Sequence, residues 1–382
     1  VMSSLYFTDQ IPFNDVIIHP TVMAADGKPM SKSRGNGVDP LKLMENYGAD
    51  GMRFGLLMQV TGAQDLKFNE NKLVSSRNFA NKIRNAARFV MMNLDDYTPG
   101  NPEPVTPADR WIFSRLARLV SSVDEAYKEY EFSDMTRELY AFFWNEFCDW
   151  YIEMVKPRLY NDADETKTAA IWTLKTVLID ALKLLHPYMP FITEEIFCNI
   201  QDEEESIMIS SWPVYDETNN FAAEEKAIET IKEAVRNIRN LRADMNVAPS
   251  RKALVYVVTA SEDVKNIFNN SLGFFGTLAY ASEVKVQADK AGIPEDAVST
   301  VIPDAVIYIP FAELVDIDKE IERLKKEEGR LQGEIKRCNG MLNNERFTSK
   351  APKAKIDEEK AKLVKYTQML EQVTERLATL SK

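Results

Sequence analysis

A seven-residue repeat of apolar side chains near the end of the chain is the pattern that most restricts how this sequence can fold. The first segment carries the repeat at Ile321, Leu324, Leu331, Ile335, Cys338 and Leu342, with Glu328 in one of its positions. After residues 343–352 a second segment carries it at Ile356, Leu363, Tyr366, Leu370, Val373, Leu377 and Leu380. Each repeat places one apolar stripe along a helix, and two short helices of this kind can bury their stripes only against each other. The sequence therefore predicts an antiparallel coiled-coil hairpin over residues 317–382.

Charge is distributed unevenly over the 382 residues. The whole chain has a net charge of −12, which argues mildly against nucleic acid as a partner. Residues 318–382, however, hold 16 Lys and Arg against 12 Asp and Glu, so their net charge is +4 and that of the remainder is −16. A basic tail on an acidic body is compatible with contacts to RNA at selected surfaces.

Composition disfavours several classes of protein and site. No apolar run approaches the ~20 residues that cross a bilayer, and residues 1–30 lack the pattern of a secretory leader. Cys148, Cys198 and Cys338 are far apart and no Cys-x-x-Cys is present, so we expect no bound metal and reduced, buried thiols. We therefore expect a cytoplasmic protein without a membrane partner. Because the chain opens at Val1 rather than Met, we also expect it to be a piece of a longer protein.

Local signals predict elements in the first part of the chain. The apolar run over residues 15–23 predicts a buried strand. Asp39 followed by Pro40 predicts the start of a helix, and Asp50 is predicted to cap the helix that follows it. The loop between the strand and these helices is rich in Gly, Ser and Lys, a composition that can hold a polyphosphate. An ordinary solvated loop is the commoner explanation of such a composition, and both alternatives stay open at this point.

Long amphipathic helices are predicted from residue 69 to residue 250. Thr106-Pro107-Ala108-Asp109 predicts one helix start, and Thr193 is predicted to cap another. The aromatic-rich run over residues 132–155 predicts a further helix. Its aromatic side chains are predicted to pack in the hydrophobic core rather than to line a ligand-binding site. From residue 253 to residue 310 apolar residues recur at every second position, as in β-strands. This segment is predicted to be a small α+β module with one helix over residues 260–280.

Several motifs, taken in order, resemble those of the valyl-tRNA synthetase family. The loop contains Met30-Ser31-Lys32-Ser33, which is similar to the mobile KMSKS signature of class I aminoacyl-tRNA synthetases, except that Pro29 stands where the family has its first Lys. The runs over residues 147–153, 185–195 and 236–249 resemble the family's helical domain, and the tip at residues 343–352 resembles its C-terminal arm. Isoleucyl and leucyl enzymes share the loop and the bundle, but the arm favours the valyl family.

The resemblance implies roles for the residues of the loop. Lys32 matches the second family lysine and is predicted to be catalytic, neutralising the pyrophosphate of ATP as charge builds up. The predicted ATP contacts, with Lys32, are Ser31, Ser33, Met30 and Lys28. Mg²⁺ would accompany ATP in the whole enzyme, with no metal held by this portion. No His-x-Gly-His motif is present, since His19 and His186 are solitary, and the valine pocket and editing domain are not expected in this sequence.

Three sets of basic residues are predicted to contact tRNA. Arg77, Arg84 and Arg88 are spaced by seven and four, so they share one helix face. The other two sets are Arg236, Arg239 and Arg242 on a later helix, and Arg346 with Lys350 at the tip of the hairpin. An aligned arginine row is more commonly just a solvated face, and the hairpin could equally be a dimerisation coiled coil; both alternatives stay open at this point.

The implied fold is mainly α, in four domains. These are the end of a class I nucleotide-binding α/β catalytic domain (residues 1–68), an anticodon-binding helical bundle (69–250), a small α+β module (251–316) and a coiled-coil tRNA-binding arm (317–382). The implied function is the C-terminal part of a valine–tRNA ligase, with tRNA for valine as partner, ATP and valine as substrates of the whole enzyme, and a monomeric state. The alternative is a non-catalytic RNA-binding or scaffolding protein built from synthetase domains.

Overall fold

The computed structural model describes residues 1–62, 64–94, 103–201, 203–314, 317–344 and 352–380. Most of these residues are helical, and the strands form two small sheets. Contacts within the chain define two compact units, Val1–Lys232 and Glu233–Lys382. The four-domain division is finer than these units and stays a prediction. Within the described ranges, no helix has the length and apolar character needed to cross a membrane.

The first unit begins with short elements around a two-stranded sheet. They are α1 (Met2–Thr8), β1 (Val22–Met23), a 3-10 turn (Lys32–Arg34), α2 (Pro40–Tyr47), α3 (Ala49–Leu57) and β2 (Leu66–Lys67). Strands β1 and β2 are parallel, with Val22 opposite Leu66. As predicted, Asp39 caps α2: its Oδ1 accepts the Leu41 N–H at 3.0 Å, and Pro40 is the first helical residue.

The predicted buried strand over residues 15–23 is wrong. Within those nine residues, all of which the structure describes, only Val22 and Met23 form a strand, while Val16, Ile17 and Ile18 are exposed. The run has the composition of a buried strand, but nothing in the described residues covers it. A strand is buried by the sheet and helices that cover it, and these are not encoded in the run itself.

The rest of the first unit is a bundle of helices. They are α4 (Glu70–Met91), α5 (Pro107–Lys128), α6 (Phe132–Ala141), α7 (Ile152–Leu159), α8 (Lys167–Leu185), α9 (Pro190–Ile200) and α10 (Ala222–Asp244), which continues into the second unit. The core contains the fully buried rings of Trp111, Phe143, Phe147 and Tyr151. The aromatic run is thus core, as predicted, and its burial supplies much of the apolar area that stabilises the bundle.

A ten-residue π-helix, Phe142–Tyr151, lies between α6 and α7 where a continuous α-helix was predicted. The stretch positions Tyr151, whose hydroxyl donates to Oδ1 of Asp109 at 2.7 Å. Asp109 is fully buried, accepts also from Arg158 at 2.7 Å, and forms a capping box with Thr106 at the predicted start of α5. The buried carboxylate is therefore paired and hydrogen-bonded, which is the condition for keeping a charge in a core.

The second unit contains a four-stranded sheet. Its elements are β3 (Ala253–Val258), α11 (Glu262–Asn269), α12 (Leu272–Leu278), β4 (Ala281–Gln287), β5 (Val298–Ile302), β6 (Ala305–Ile309) and α13 (Phe311–Leu314). The strand order is β4-β3-β6-β5, with β3 and β4 parallel and the other pairs antiparallel. The single helix predicted over residues 260–280 is instead two, because the chain turns at Asn270 and Ser271.

Two long helices, α14 (Ile317–Leu342) and α15 (Lys353–Leu380), pack on each other. The repeat residues Leu324, Leu331 and Cys338 are buried, as a packed seam requires. Cys338 Sγ donates to Glu359 Oε2 at 3.4 Å, so a polar pair lies within this otherwise apolar contact. Cys198, by contrast, is exposed and Cys148 is half-buried, which corrects the expectation that all three thiols are buried.

Candidate functional site

The Gly- and Ser-rich loop forms a tight turn that presents Lys32 to solvent. Lys32–Arg34 is a single 3-10 turn, preceded by extended backbone at Ser31 and ended by Gly35 at a φ of 63°. A positive φ of this size is readily adopted by glycine and strained for most other residues. Lys32, Ser33 and Arg34 are all exposed, and the hydroxyls of Ser31 and Ser33 lie 3.3 Å apart.

The side chain of Asn36 closes the loop across its base. Its Oδ1 accepts the Ser31 N–H at 2.9 Å, and its Nδ2 donates to the Pro29 carbonyl at 3.2 Å. Met30 is half-buried against the apolar cluster of Leu43, Phe68 and Leu73. The turn that carries Lys32 is therefore held at its base by one amide and one apolar anchor.

The predicted ATP contacts occupy different positions on this loop. Ser31, Lys32 and Ser33 lie together on the turn, whereas Lys28 lies before it and is 3.9 Å from Asp26, with both side chains exposed. Met30 faces the core rather than solvent. The turn can therefore offer one ammonium group and two hydroxyls to an anion, which suits a polyphosphate. The roles of these residues toward ATP stay predictions.

A groove lies between α4 and α9, within the first unit. It consists of two adjoining cavities of about 720 Å³ and about 460 Å³ that share Asn81, Arg84, Ile192 and Glu195. The α4 wall is formed by Arg77, Asn81, Arg84, Asn85 and Arg88, which follow one face of the helix. We refer to this as the α4–α9 groove.

The arginine row predicted for tRNA lines this groove. Arg77, Arg84 and Arg88 are all exposed, and the Arg77 guanidinium lies 5.7 Å from the centre of the Tyr47 ring. Arg84 is 3.8 Å from Glu195 across the groove, but both side chains are well exposed, so this pair contributes little and can open. The row can therefore hold a chain of phosphates along the groove.

Helix α3 fixes the end of α9 that borders the groove. Asp50 accepts backbone N–H groups of Phe191 at 3.2 Å and Ile192 at 2.7 Å, and Arg53 Nη2 donates to the Pro187 carbonyl at 2.9 Å. The predictions that Asp50 caps α3 and that Thr193 caps α9 are both wrong. Helix α3 begins after Gly48 without a side-chain cap. Asp50 thus caps α9 rather than its own helix, and Thr193 lies inside α9 and bonds to Met189 O.

The second predicted set is divided between surface and interior. Arg236 and Arg239 are exposed, and Arg239 Nε donates to the Leu278 carbonyl at 2.6 Å. Arg242 is buried, and its Nη2 donates to the carbonyls of Ala248 and Arg251. Burial lowers the pKa of Arg242 from its ordinary value. Arg242 therefore supports the turn after α10, and a tRNA contact by this set stays a prediction.

Two further expectations concern the arm tip and metals. Arg346 and Lys350 lie outside the described residues. Within the described ranges, no group of three or more His, Cys, Asp or Glu side chains is arranged to hold a metal ion. Burial raises the pKa of Cys148 to about 12, so this thiol stays protonated and is a poor ligand at neutral pH.

Sequence reasoning missed several residues of the two sites. Asn81 and Asn85 could have been found, since they are spaced four and eight residues from Arg77 on the same helix face. Phe191 and Asn199 reach the groove from a helix distant in sequence, and no local signal marks them. The hydrogen bond by which Asn36 holds the loop, from the Ser31 N–H to its Oδ1, likewise could not be predicted from the composition of the loop.

Three protein families match successive parts of the chain. Residues 1–69 match "tRNA synthetases class I (I, L, M and V)", residues 109–257 match "Anticodon-binding domain of tRNA ligase", and residues 316–381 match "Valyl tRNA synthetase tRNA binding arm".

Curated relatives match from end to end. A valine–tRNA ligase of Clostridium perfringens is 46% identical over 383 residues, and one of Clostridium acetobutylicum is 44% identical over the same length, each covering 100% of this chain. One of Carboxydothermus hydrogenoformans is 41% identical over 379 residues, or 99% of this chain. The match takes in 43% of each relative, so the chain spans less than half of their length.

The relatives that match from one end of the chain to the other are all valine–tRNA ligases, so the alternative of a non-catalytic scaffolding protein is not favoured. The chain belongs to the valyl-tRNA synthetase family.

Proposed function

We propose that this chain is the C-terminal part of a valine–tRNA ligase, an enzyme that uses ATP to attach valine to its tRNA. Within that enzyme, this chain supplies the Lys32 loop and binds tRNA. The four predicted segments then correspond to the end of the catalytic domain (1–68), the anticodon-binding bundle (69–250), the α+β module (251–316) and an antiparallel coiled-coil arm (317–382). We propose a cytoplasmic monomer, with Mg²⁺ accompanying ATP and no metal held by this chain.

The loop would act on the phosphates of ATP. Formation of an acyl-adenylate releases pyrophosphate, so negative charge builds up on the leaving phosphates in the transition state. An exposed lysine on a turn held by Asn36 can approach that charge, and the Ser31 and Ser33 hydroxyls can donate to the same oxygens. The loop thus lowers the barrier by stabilising the leaving group.

The observation that carries the tRNA-binding part of the proposal is the exposed row of Arg77, Arg84 and Arg88 along the α4–α9 groove. Binding to RNA needs positive charge where the backbone runs, not a positive total, so the net charge of −12 is no obstacle. This part of the proposal does not depend on the adenylation site.

Filter binding of a valine tRNA transcript at several salt concentrations tests the proposal. We expect saturable binding whose affinity falls with salt. The Arg84→Ala/Arg88→Ala double variant should weaken binding and reduce the salt slope by roughly 0.7–0.9 for each phosphate that is no longer neutralised. Lys265→Ala, which removes a charge from α11 and not from the groove lining, is the matched control. An unchanged slope in the double variant, or no saturable binding by the chain, would contradict the proposal.

A further inference from the structure

Phe191 is an apolar ring left in solvent beside the arginine row. It is the second residue of α9, its side chain is 64% exposed, and it lines the smaller cavity of the α4–α9 groove. Ile196, Phe197 and Ile200 of the same helix are buried, and Ile192 is half-buried where it lines the groove. Because the ring lines the same cavity as Arg77 and Arg84, a flat group that enters the groove would contact it.

The ring is held in place by its backbone. The Phe191 N–H donates to Asp50 at 3.2 Å, and the next N–H along donates to the same carboxylate at 2.7 Å. The helix end is therefore pinned to α3, and the ring has only its own two side-chain torsions to lose on binding. A pre-positioned aromatic ring is a low-cost contact for a flat ligand. The Asp50 carboxylate also occupies the N–H groups at this helix end, so the end itself does not bind a phosphate.

The chemistry around the ring suits a nucleotide. Arg77, Asn81 and Arg84 line the same cavity as Phe191, and Arg88 continues the row into the adjoining one. Guanidinium groups bind phosphates, side-chain amides can donate to and accept from base edges, and an aromatic face stacks on any base. This combination of a basic track with one aromatic platform is the usual way in which proteins hold an unstacked nucleotide.

We propose that Phe191 stacks on one unpaired base of a bound RNA, while Arg84 and Arg88 hold the phosphates beside it. The inference rests on the proposed function, because it assigns a nucleotide-stacking role within the same tRNA-binding groove. A base inside a duplex has both faces covered by its neighbours, so the ring can reach only a base in a loop, a bulge or an end. Phe191 therefore selects RNA with unpaired nucleotides over a continuous duplex.

Variants at position 191 separate stacking from simple apolar contact. The full 382-residue chain is titrated with a valine tRNA transcript and with a fully paired RNA duplex of similar length. Phe191→Ala should weaken tRNA binding by roughly 5- to 150-fold, the range for loss of one base–aromatic stack. Phe191→Tyr should restore the affinity, whereas Phe191→Leu should not. Met208→Ala, at a similarly exposed apolar residue outside the groove lining, is the matched control and should bind as the parent chain does.

The salt dependence gives a second readout. Phe191→Ala removes no charge, so its salt slope should equal that of the parent chain, whereas Arg84→Ala should lower the slope by roughly 0.7–0.9. The duplex should bind more weakly than tRNA and should be insensitive to Phe191→Ala. Thermal melting checks that each variant folds, and little change is expected because the Phe191 ring is exposed while its backbone bonds are retained.

Several outcomes would overturn the inference, and they differ from failure of the proposed function. If the parent chain binds tRNA but Phe191→Ala or Phe191→Leu binds as tightly, Phe191 does not stack on a base. Equal loss of duplex and tRNA binding in Phe191→Ala would also overturn it, since the ring would not select unpaired bases. If the parent chain binds neither RNA, the proposed function falls together with the inference.

Discussion

The carboxylate of Asp50 on α3 accepts the backbone N–H of Ile192 on α9 at 2.7 Å, so one helix is capped by a residue 142 positions earlier in the chain. Asp50 is itself buried, and Phe191 donates to its other oxygen. The N-terminal groups of a helix need such partners because they have none within the helix. The bond also joins the segment that carries the Lys32 loop to the helical bundle.

Loss of the Asp50 cap should destabilise the chain. We expect Asp50→Ala to lower the free energy of unfolding by about 0.5–2 kcal/mol, the cost of removing a helix cap, with the value at the upper end because the site is buried. Asp50→Asn keeps an acceptor oxygen and should cost less. Asp216→Ala is the control, since Asp216 caps only a short exposed 3-10 turn. Urea unfolding measures all three, and equal midpoints for Asp50→Ala and the parent chain would rule out the role.

The 382-residue chain alone should not make valyl-adenylate. Lys32 can assist only if a triphosphate and valine are positioned for it, and the sequence contains no His-x-Gly-His motif to complete such a site. Valine-dependent exchange of labelled pyrophosphate into ATP should stay at the level of a blank. A full-length ligase of the same family, assayed in parallel, provides the positive control. Exchange well above the blank would show that the chain holds a complete site.

Lys32→Ala should slow adenylation in a full-length ligase carrying this chain. We expect a fall of roughly 10²–10³ in the adenylation rate, the scale of one transition-state charge contact, with valine binding little changed. Lys28→Ala should have a much smaller effect, because Lys28 lies off the turn and next to Asp26. Single-turnover adenylate formation distinguishes them. A near-normal rate for Lys32→Ala would transfer the role to Lys28 or Arg34.

Asn36 offers a second test of the same loop. Asn36→Ala removes both bonds that hold the turn, so adenylation should slow although no charge is lost. Since the Asn36 amide is bonded to the loop backbone on both of its atoms, we expect its loss to act on the rate through the position of Lys32. The ATP concentration that gives half the maximal rate should change less than it does in Lys32→Ala, and titrating ATP against both variants measures the difference.

Leu331→Asp should disrupt the packing of α14 on α15. Leu331 is fully buried, and a carboxylate in its place would be buried without a partner. We expect lost helical circular dichroism and tRNA affinity reduced to that of a chain lacking residues 318–382, with a flatter salt slope. Gln332→Asp adds the same charge at the exposed neighbouring position and should keep the helices. If deleting residues 318–382 changes neither affinity nor slope, the two helices serve packing or dimerisation instead.

Acid should destabilise the first unit partly through His186. Burial lowers the pKa of His186 below its ordinary value of 6.5, although Glu194 and Asp50 oppose the shift. The unfolded chain therefore binds a proton that the folded chain resists, so stability is fully present above about pH 6.5 and declines as the pH falls through it. Melting temperatures of the parent chain and His186→Asn between pH 5 and 8 test this. The parent should lose more on acidification, and parallel curves would refute the contribution.

The sequence predicted those elements whose determinants lie close together in the chain. The capping box of Thr106 and Asp109 and the buried positions of Leu324 and Leu331 depend on spacings of three or seven residues, and the structure has both. It could not predict that Asp50 caps a helix 142 positions away, because capping residues look the same whether they serve their own helix or another.

The candidate sites divide in the same way. The exposed arginine row follows from helical periodicity, and its three members do line one groove. The opposite wall of that groove, with Phe191 and Asn199, depends on how α9 packs against α4, which no local pattern expresses. The burial of Arg242 is a similar case: a basic residue in phase with two surface arginines is drawn inward by two carbonyl groups.

The π-helix at Phe142–Tyr151 gives this stretch a reserve of chain length. Hydrogen bonds that close on the fifth residue accommodate one more residue per turn than those of an α-helix, so the stretch absorbs extra chain without a loop. Removing one residue there would let the stretch relax to α geometry, so the residues that follow it, Arg158 among them, would keep their direction around the axis. The same deletion in a regular α-helix has no such slack and would rotate all that follows by about 100°. A single-codon deletion should therefore be better tolerated between Phe142 and Tyr151 than in the α-helices on either side.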